Sequence, residues 1–376
     1  MRVAVLSCFN GIWNGGGESW SISLCQHLQQ QGHTCVLIQG GAEPPSGVSF
    51  RGIPLGITPH HHDVAASPHV LAKVINRCYL GAVDRDVARI SWRALPHLLA
   101  FRPDVILPVN NFWSVIAAKL VRLLTGGRTR VVVTGHMKGW SRVERDTLRM
   151  GIDGFVATQP RAYEDARAFV RDGTPVSLIP NGVDIDRFGG GEAANLALAP
   201  PVVIVVSSLL DYKRVDLAVR AVAQAGMSLL VVGDGPNARS VDRLGRDLLG
   251  EEHYRRVPHV PHHEVAAYYR AAHVFTLSSA ENEAFGIVIL EAMAAGLPVV
   301  VNDDPIRHWI VGEGGVFVDP LDTTGYARAL RAAATTPPRD IEEVSSRALA
   351  RFNWPAIASA YALFFDQVRA RKGLSS

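Results

Sequence analysis

Glu283-Ala284-Phe285-Gly286-Ile287-Val288-Ile289-Leu290-Glu291-Ala292-Met293-Ala294-Ala295-Gly296 runs directly into Leu297-Pro298-Val299-Val300-Val301. Ile287, Leu290, Glu291 and Ala294 share one helical face, so a helix is expected to start near Gly286 and to stop at Gly296-Leu297-Pro298. The β-branched run beyond it reads as a strand. Helix, short break and apolar strand make one unit of an alternating α/β chain. Glu283 then lies before the helix and Glu291 about one turn inside it. A carboxylate accepts two hydrogen bonds and can grip a vicinal diol, while free amides at a helix start can hold an anionic phosphate. Diol plus phosphate points to a sugar nucleotide.

The alternation extends in both directions. Residues 3–6, 34–38, 105–108, 131–134, 154–158 and 176–179 are expected strands separated by amphipathic helices. The pattern restarts at 202–207, 228–232, 274–277, 298–301 and 316–318. Between the two runs, Gly189-Gly190-Gly191 and Ala199-Pro200-Pro201 bound a stretch rich in breakers, expected to be an interdomain linker. Two doubly wound parallel sheets follow, and 376 residues suit two domains of ordinary size. Ligands of such sheets lie beyond the carboxyl ends of the strands, so the donor pocket is expected between the domains. Trp354-Pro355 begins a last helix with Ile357, Tyr361, Phe364, Phe365 and Val368 at helical spacing.

Composition removes several classes. The apolar run 3–6 is shorter than a signal-peptide core, and no uninterrupted apolar stretch reaches the roughly 18 to 20 residues that span a bilayer. A soluble, cytoplasmic protein is expected, peripheral to a membrane at most. Cys8, Cys25, Cys35 and Cys78 show no C-x-x-C spacing, which indicates neither a zinc site nor a disulfide framework. Lys and Arg outnumber Asp and Glu 19 to 14 through Asp186 and are outnumbered 19 to 21 beyond it, so the amino-terminal half carries the positive excess. Such a surface suits anionic lipid head groups or an acidic acceptor, or is an ordinary solvated face. No basic tract interleaved with aromatics speaks for nucleic acid. His60-His61-His62-Asp63 and His259-x-x-His262-His263 belong to no recognised ligand set, so no metal site is expected.

Five motifs in order carry a resemblance. They are Gly15-Gly16-Gly17-Glu18 with Gly32-His33, Ile179-Pro180-Asn181-Gly182-Val183-Asp184 with Arg187 and Phe188, Lys213, Val231-Val232-Gly233-Asp234-Gly235-Pro236, and the stretch from Glu283. Together they resemble the retaining glycosyltransferases of family 4, the glycosyl transferases group 1. The resemblance implies the GT-B fold, two facing Rossmann-like domains with an interdomain cleft. Residues 1–182 would form the acceptor-side domain and 183–354 the nucleotide-sugar-binding domain. The helix in 355–376 would cross back to the first domain. The implied reaction moves a sugar from a nucleotide-diphospho-sugar to an acceptor hydroxyl on a lipid, glycan or natural product, with no metal and no further cofactor. The implied site places Lys213 on the phosphate, Glu283 on hydroxyls of the transferred sugar, Glu291 on the ribose, and the amides of Phe285, Gly286 and Ile287 on sugar and phosphate. His136, just after the fourth expected strand of the first domain, faces the sugar. Gly16 and Gly17 let backbone approach diphosphate or acceptor closely.

In such a transfer the site's main task is to stabilise negative charge growing on the β-phosphate. Lys213 is the first residue placed for it. The family's arginine is replaced by Ser208, so the second charge falls to Arg214 or to a helix-start amide. Glu281 competes with Glu283 for the first glutamate, and the eight-residue spacing favours Glu283. No side chain is an obvious covalent nucleophile, which fits front-side attack with the leaving phosphate taking the acceptor's proton. Two other classes compete: a sugar-nucleotide-binding protein without catalysis, for which Ser208 is the hint, and an NAD-dependent oxidoreductase. The latter requires G-x-G-x-x-G after the first strand, where this chain has consecutive glycines far from Leu6.

Overall fold

A computed structural model describes residues 1–12, 16–42, 47–57, 77–109, 111–136, 141–170, 173–261, 264–280, 283, 285–313 and 315–371. Gly15, His60 to His62, Asp63, His262, His263 and Glu281 lie outside the described residues. The chain divides into two compact units, Met1–Pro180 with Trp354–Ser376, and Asn181–Asn353.

The first unit runs β1 (Arg2–Ser7), α1 (Gly16–Gln30), β2 (Thr34–Gln39), β3 (Arg51–Pro54), α2 (Ala82–Phe101), β4 (Val105–Pro108), α3 (Phe112–Leu124), β5 (Arg130–Gly135), α4 (Arg142–Arg149), β6 (Gly154–Ala157), α5 (Pro160–Phe169) and β7 (Val176–Leu178). Its seven strands pair in parallel in the order β3-β2-β1-β4-β5-β6-β7. Side chains alternate across this sheet with the period of two that a strand imposes. Val3, Val5, Leu37, Leu107 and Val132 face α1 on one side, and Ala4, Leu6, Ile38, Ile106 and Val131 face α2, α3 and α5 on the other.

The second unit runs α6 (Ile185–Gly189), β8 (Val202–Val206), a 3-10 turn (Asp211–Lys213), α7 (Val215–Ala225), β9 (Ser228–Val232), α8 (Ala238–Leu249), β10 (Tyr254–Val257), α9 (Val265–Arg270), β11 (Val274–Leu277), α10 (Ile287–Ala294), β12 (Val299–Asn302), α11 (Pro305–Val311), β13 (Val316–Val318), α12 (Thr323–Ala333) and α13 (Pro338–Leu349). Its six strands are parallel in the order β10-β9-β8-β11-β12-β13. The strand order reverses between β1 and β4 in one sheet and between β8 and β11 in the other. Two doubly wound sheets are present, as the alternation requires. The last helix, α14 (Trp354–Ala370), belongs to the first unit. Its Ile357, Tyr361, Phe364, Phe365 and Val368 are buried in the same cluster as Trp20, Leu24 and Leu28 of α1.

Two strands were not anticipated, β3 and β10. Arg51-Gly52-Ile53-Pro54 and Tyr254-Arg255-Arg256-Val257 lack a β-branched run, and each is a sheet edge that becomes a strand by pairing with β2 or β9. Proline is tolerated at such an edge because no ladder bond is asked of it. A second difference concerns the breaker-rich stretch 189–201, which is built into the second unit. Ala194 N donates to the Ala267 carbonyl (2.9 Å), Arg270 Nε and Nη2 donate to the Glu192 carbonyl (3.1 and 2.9 Å), and Leu196 is buried. The units divide earlier, at Pro180 and Asn181. There Val183 N donates to the Phe352 carbonyl (2.8 Å) and Asp184 caps α6.

Candidate functional site

In a doubly wound sheet the crevice at the strand-order reversal takes the ligand. In the second unit this point lies beyond β8 and β11, and the loops leaving those strands carry Lys213 and Glu283. The β8 loop is held from behind by the turn after β9. Ser207 N donates to the Val232 carbonyl (3.0 Å) and Leu209 N to the Asp234 carbonyl (2.8 Å). Gly233 has φ +142, and a Cβ there would meet the Ser207 carbonyl oxygen at 1.9 Å. The Gly-Asp-Gly-Pro turn is therefore a close backbone brace for the lysine loop.

Lys213 ends the 3-10 turn, with its amide donating to the Leu210 carbonyl (2.9 Å). Its ammonium pairs with Glu283 Oε2, and both side chains are largely buried, 13% and 12% exposed. Ser279 Oγ donates to the same oxygen (3.2 Å). Arg214 follows with φ +45, and its Nη2 donates to the Ser279 carbonyl (3.3 Å), while Ser278 Oγ donates to the Arg214 carbonyl (2.8 Å). Asn302 Nδ2, at the end of β12, donates to the Ser279 carbonyl as well (2.7 Å). Lys213, Arg214 and Glu283 are thus brought together by three adjacent strands. Ser208 is exposed on its loop.

Gly286 adopts the left-handed conformation (φ 85, ψ 60) and provides no side-chain cap for α10, whose first-turn amides are left to other acceptors. The side chain of Phe285 is part of the core. Its ring is 4% exposed and packs edge-on against Trp309 and Phe352 (centroids 6.1 and 6.0 Å), so only its backbone can serve a ligand. Ile287 begins the helix. Glu291 is 5% exposed and accepts a hydrogen bond from Tyr269 Oη (2.8 Å). The buried carboxylate thus has the partner that burial demands. Burial, then Glu291, holds the Tyr269 hydroxyl well above its ordinary range. Arg187 is lowered by burial, an effect that Glu291 and Asp184 oppose.

His136 follows β5 in the first unit. Trp20 of α1 meets its ring edge-to-face (centroids 4.4 Å, 69°), and Trp20 in turn contacts Tyr361 of α14 (5.9 Å). His136 Nε2 is buried with no partner among the described residues, and burial lowers the imidazole to about 4. It is neutral near pH 7. Gly16 and Gly17 start α1, and the space around the missing Cβ of Gly17 is open, with nothing within 4 Å.

Residue patterns pointed to none of Tyr269, Ser279, Asn302, Arg307 and Trp20. Asp304-Pro305 was the available cue for α11, a cap followed by proline at the first helical position. Asp304 accepts from the amides of Ile306 and Arg307 (3.1 and 3.0 Å). Among the described residues no group of three His, Cys, Asp or Glu is placed to hold a metal, and no helix is long and apolar enough to cross a membrane.

Comparisons with known proteins give the family and the fold. Residues 14–187 match the model of Glycosyltransferase Family 4, and residues 192–346 match that of Glycosyl transferases group 1. The chain is 30% identical over 315 residues to the GDP-mannose-dependent alpha-(1-6)-phosphatidylinositol monomannoside mannosyltransferase of Mycolicibacterium smegmatis, covering 72% of this chain and 82% of that protein. It is 31% identical to the phosphatidyl-myo-inositol mannosyltransferase of Mycobacterium leprae, covering 98% and 97%. Among solved structures, sucrose-phosphate synthase from Thermosynechococcus elongatus superposes with a TM-score of 0.73 at 21% identity, over 98% of this chain and 99% of that one. The Anabaena protein HepE, solved in complex with UDP and glucose, gives 0.69 at 16% identity, over 98% and 100%. These structures share the fold. The oxidoreductase alternative falls with these matches.

Proposed function

From the premise that the chain belongs to the group 1, family 4-type glycosyltransferases, enzymes of the GT-B fold, we propose that it moves a sugar from a nucleotide-diphospho-sugar to an acceptor hydroxyl with retention and without a metal. The observation that carries this reading is the Lys213–Glu283 pair beside Arg214 at the strand-order reversal. A lysine and an arginine converge there with one carboxylate.

Lys213 and Arg214 face the diphosphate and stabilise the charge that grows on the β-phosphate as the glycosidic bond breaks. Arg214 stands in for the arginine that Ser208 replaces. Glu283 turns from Lys213 to hydroxyls of the transferred sugar. The amides of Phe285, Gly286 and Ile287 serve phosphate and sugar, and Glu291 serves the ribose, oriented by Tyr269. His136, kept neutral by burial, hydrogen-bonds a sugar hydroxyl without adding charge. The acceptor attacks from the face the leaving group departs, and the departing phosphate oxygen takes its proton.

The names of the mycobacterial relatives support GDP-mannose as the first donor to try and an inositol lipid as the first acceptor. A peripheral membrane contact goes with a lipid acceptor. Arg85, Arg89, Trp92, Arg93 and His97 are all exposed on α2, and three arginines beside one exposed tryptophan on a helix suit an anionic interface. Sedimentation with phosphatidylglycerol vesicles, but not phosphatidylcholine vesicles, is expected, and equal recovery with both would remove this part.

The deciding experiment is thermal stabilisation, with chelator present, by UDP, GDP, ADP, dTDP, CMP and NAD, repeated on Glu291→Ala. One nucleoside diphosphate should raise Tm, and the variant should lose that rise. A rise with none, or with NAD alone, overturns the donor reading.

A further inference from the structure

Arg307 is an arginine in an exceptional place. It lies in the first turn of α11, and its side chain is 1% exposed. Nη1 donates to the Glu283 carbonyl (3.5 Å) and lies 3.3 Å from Asp304 Oδ2. Nε and Nη2 have no partner among the described residues. Burial lowers the guanidinium, and Asp304 and Glu283 oppose that. A cation this deep is costly unless something requires it.

The ion pair with Asp304 does not account for it. Asp304 already accepts from the amides of Ile306 and Arg307 as the cap of α11, so a neutral side chain at 307 would leave that carboxylate satisfied. What Arg307 adds is a tie between α11 and the main chain of Glu283. Lys213 and Ser279 hold the carboxylate of that glutamate, and Arg307 holds its carbonyl. Sugar hydroxyls drawing Glu283 away from Lys213 would leave its backbone held by its own amide on the Ala280 carbonyl (3.1 Å) and, from α11, by Arg307 on its carbonyl.

Resting on the donor reading above, we propose that Arg307 is a positioning residue that fixes the backbone of Glu283 so that its carboxylate meets the hydroxyls of the transferred sugar. It touches no ligand itself. Its loss therefore falls on recognition of the sugar and spares recognition of the nucleoside diphosphate, which Lys213, Arg214 and Glu291 hold. A residue of merely structural importance would weaken both alike.

The test compares dissociation constants for GDP with GDP-mannose and for UDP with UDP-glucose on wild type, Arg307→Met and Arg307→Lys, with folding checked by circular dichroism. In the pair that wild type binds, Arg307→Met is expected to keep its affinity for the diphosphate within about threefold and to lose about tenfold for the sugar nucleotide. Arg307→Lys, which keeps the charge and one contact, is expected to recover part of that loss. Unchanged sugar-nucleotide affinity in Arg307→Met overturns the proposal, and so does an equal loss for both ligands. If Arg307→Met does not fold, Arg307→Lys decides, with a selective loss of about threefold expected and none overturning the idea. Where ADP or dTDP is the diphosphate that stabilises wild type, it and its sugar nucleotide replace these pairs; a wild type that binds none of them overturns the donor reading itself, while a wild type that binds and an insensitive variant overturn only the role of Arg307.

Discussion

Acidification tests the environment of His136 without assuming any ligand. Burial lowers its imidazole from 6.5 to about 4. Between those values the unfolded chain binds a proton that the folded chain refuses, so this residue contributes nothing unfavourable above pH 6.5 and costs stability as the pH falls toward 4. The gap is worth at most roughly 3 kcal/mol at its acid limit and about 2 kcal/mol between pH 7.5 and pH 5. Wild type and His136→Gln are unfolded in urea at both pH values, with near-ultraviolet circular dichroism as the signal. Every other titrating group is common to the two proteins and cancels in the double difference. The variant should lose about 2 kcal/mol less than wild type on going to pH 5. The edge-to-face contact with Trp20 sharpens the refutation, because an indole face that welcomed the imidazolium would raise its pKa and erase the difference. Equal acid sensitivity in the two proteins would show that His136 is not held neutral.

Three further outcomes follow from the geometry. Tyr269→Phe removes the hydrogen bond to the buried Glu291 carboxylate and should cost about 2 kcal/mol in urea unfolding and about tenfold in nucleoside diphosphate affinity; unchanged values in both assays would mean that the tyrosine does not hold the glutamate. Gly233→Ala puts a Cβ 1.9 Å from the Ser207 carbonyl oxygen, so a loss of about 3 kcal/mol or more, or insoluble protein, is expected, and a wild-type melting temperature would contradict the bracing of the lysine loop. Phe365→Ala empties a fully buried position in the cluster shared by α14 and α1; about 3–5 kcal/mol should be lost, and a loss under about 1 kcal/mol would show that the last helix is not part of that core.

Central strands could be read from sequence because each is a continuous apolar run buried on both faces, as at Val202-Val203-Ile204-Val205-Val206. Two of the four edge strands could not, since Arg51–Pro54 and Tyr254–Val257 owe their form to a neighbour's hydrogen bonds, whereas the edges Val176–Leu178 and Val316–Val318 keep readable apolar positions. The breaker-rich stretch 189–201 misled for the same reason: glycine and proline mark irregular backbone, and say nothing of what that backbone is bonded to.

The site divides along a similar line. On the proposed reading, ligand chemistry imposes residue type and local spacing on Lys213, Glu283 and Glu291, so they stand out in the chain. The groups that hold them obey no local spacing. Lys213 meets Glu283 across 70 residues, Asn302 meets Ser279 across 23, and Arg307 meets Glu283 across 24. Each of these contacts joins the loop after β11 to a neighbouring strand's end or to the segment that follows it, β8 on one side and β12 with α11 on the other. Strand order therefore selects the supporting residues, and any side chain of the right length on a neighbouring loop can fill the role. The displaced cation of this chain follows the same logic. Ser208 stands where the family's pattern has an arginine, while Arg214, held through the Ser279 carbonyl, lies one residue beyond Lys213 on the same β8 loop. On the proposed reading, Arg214 meets the charge requirement at the strand-order reversal from a different position on the same loop.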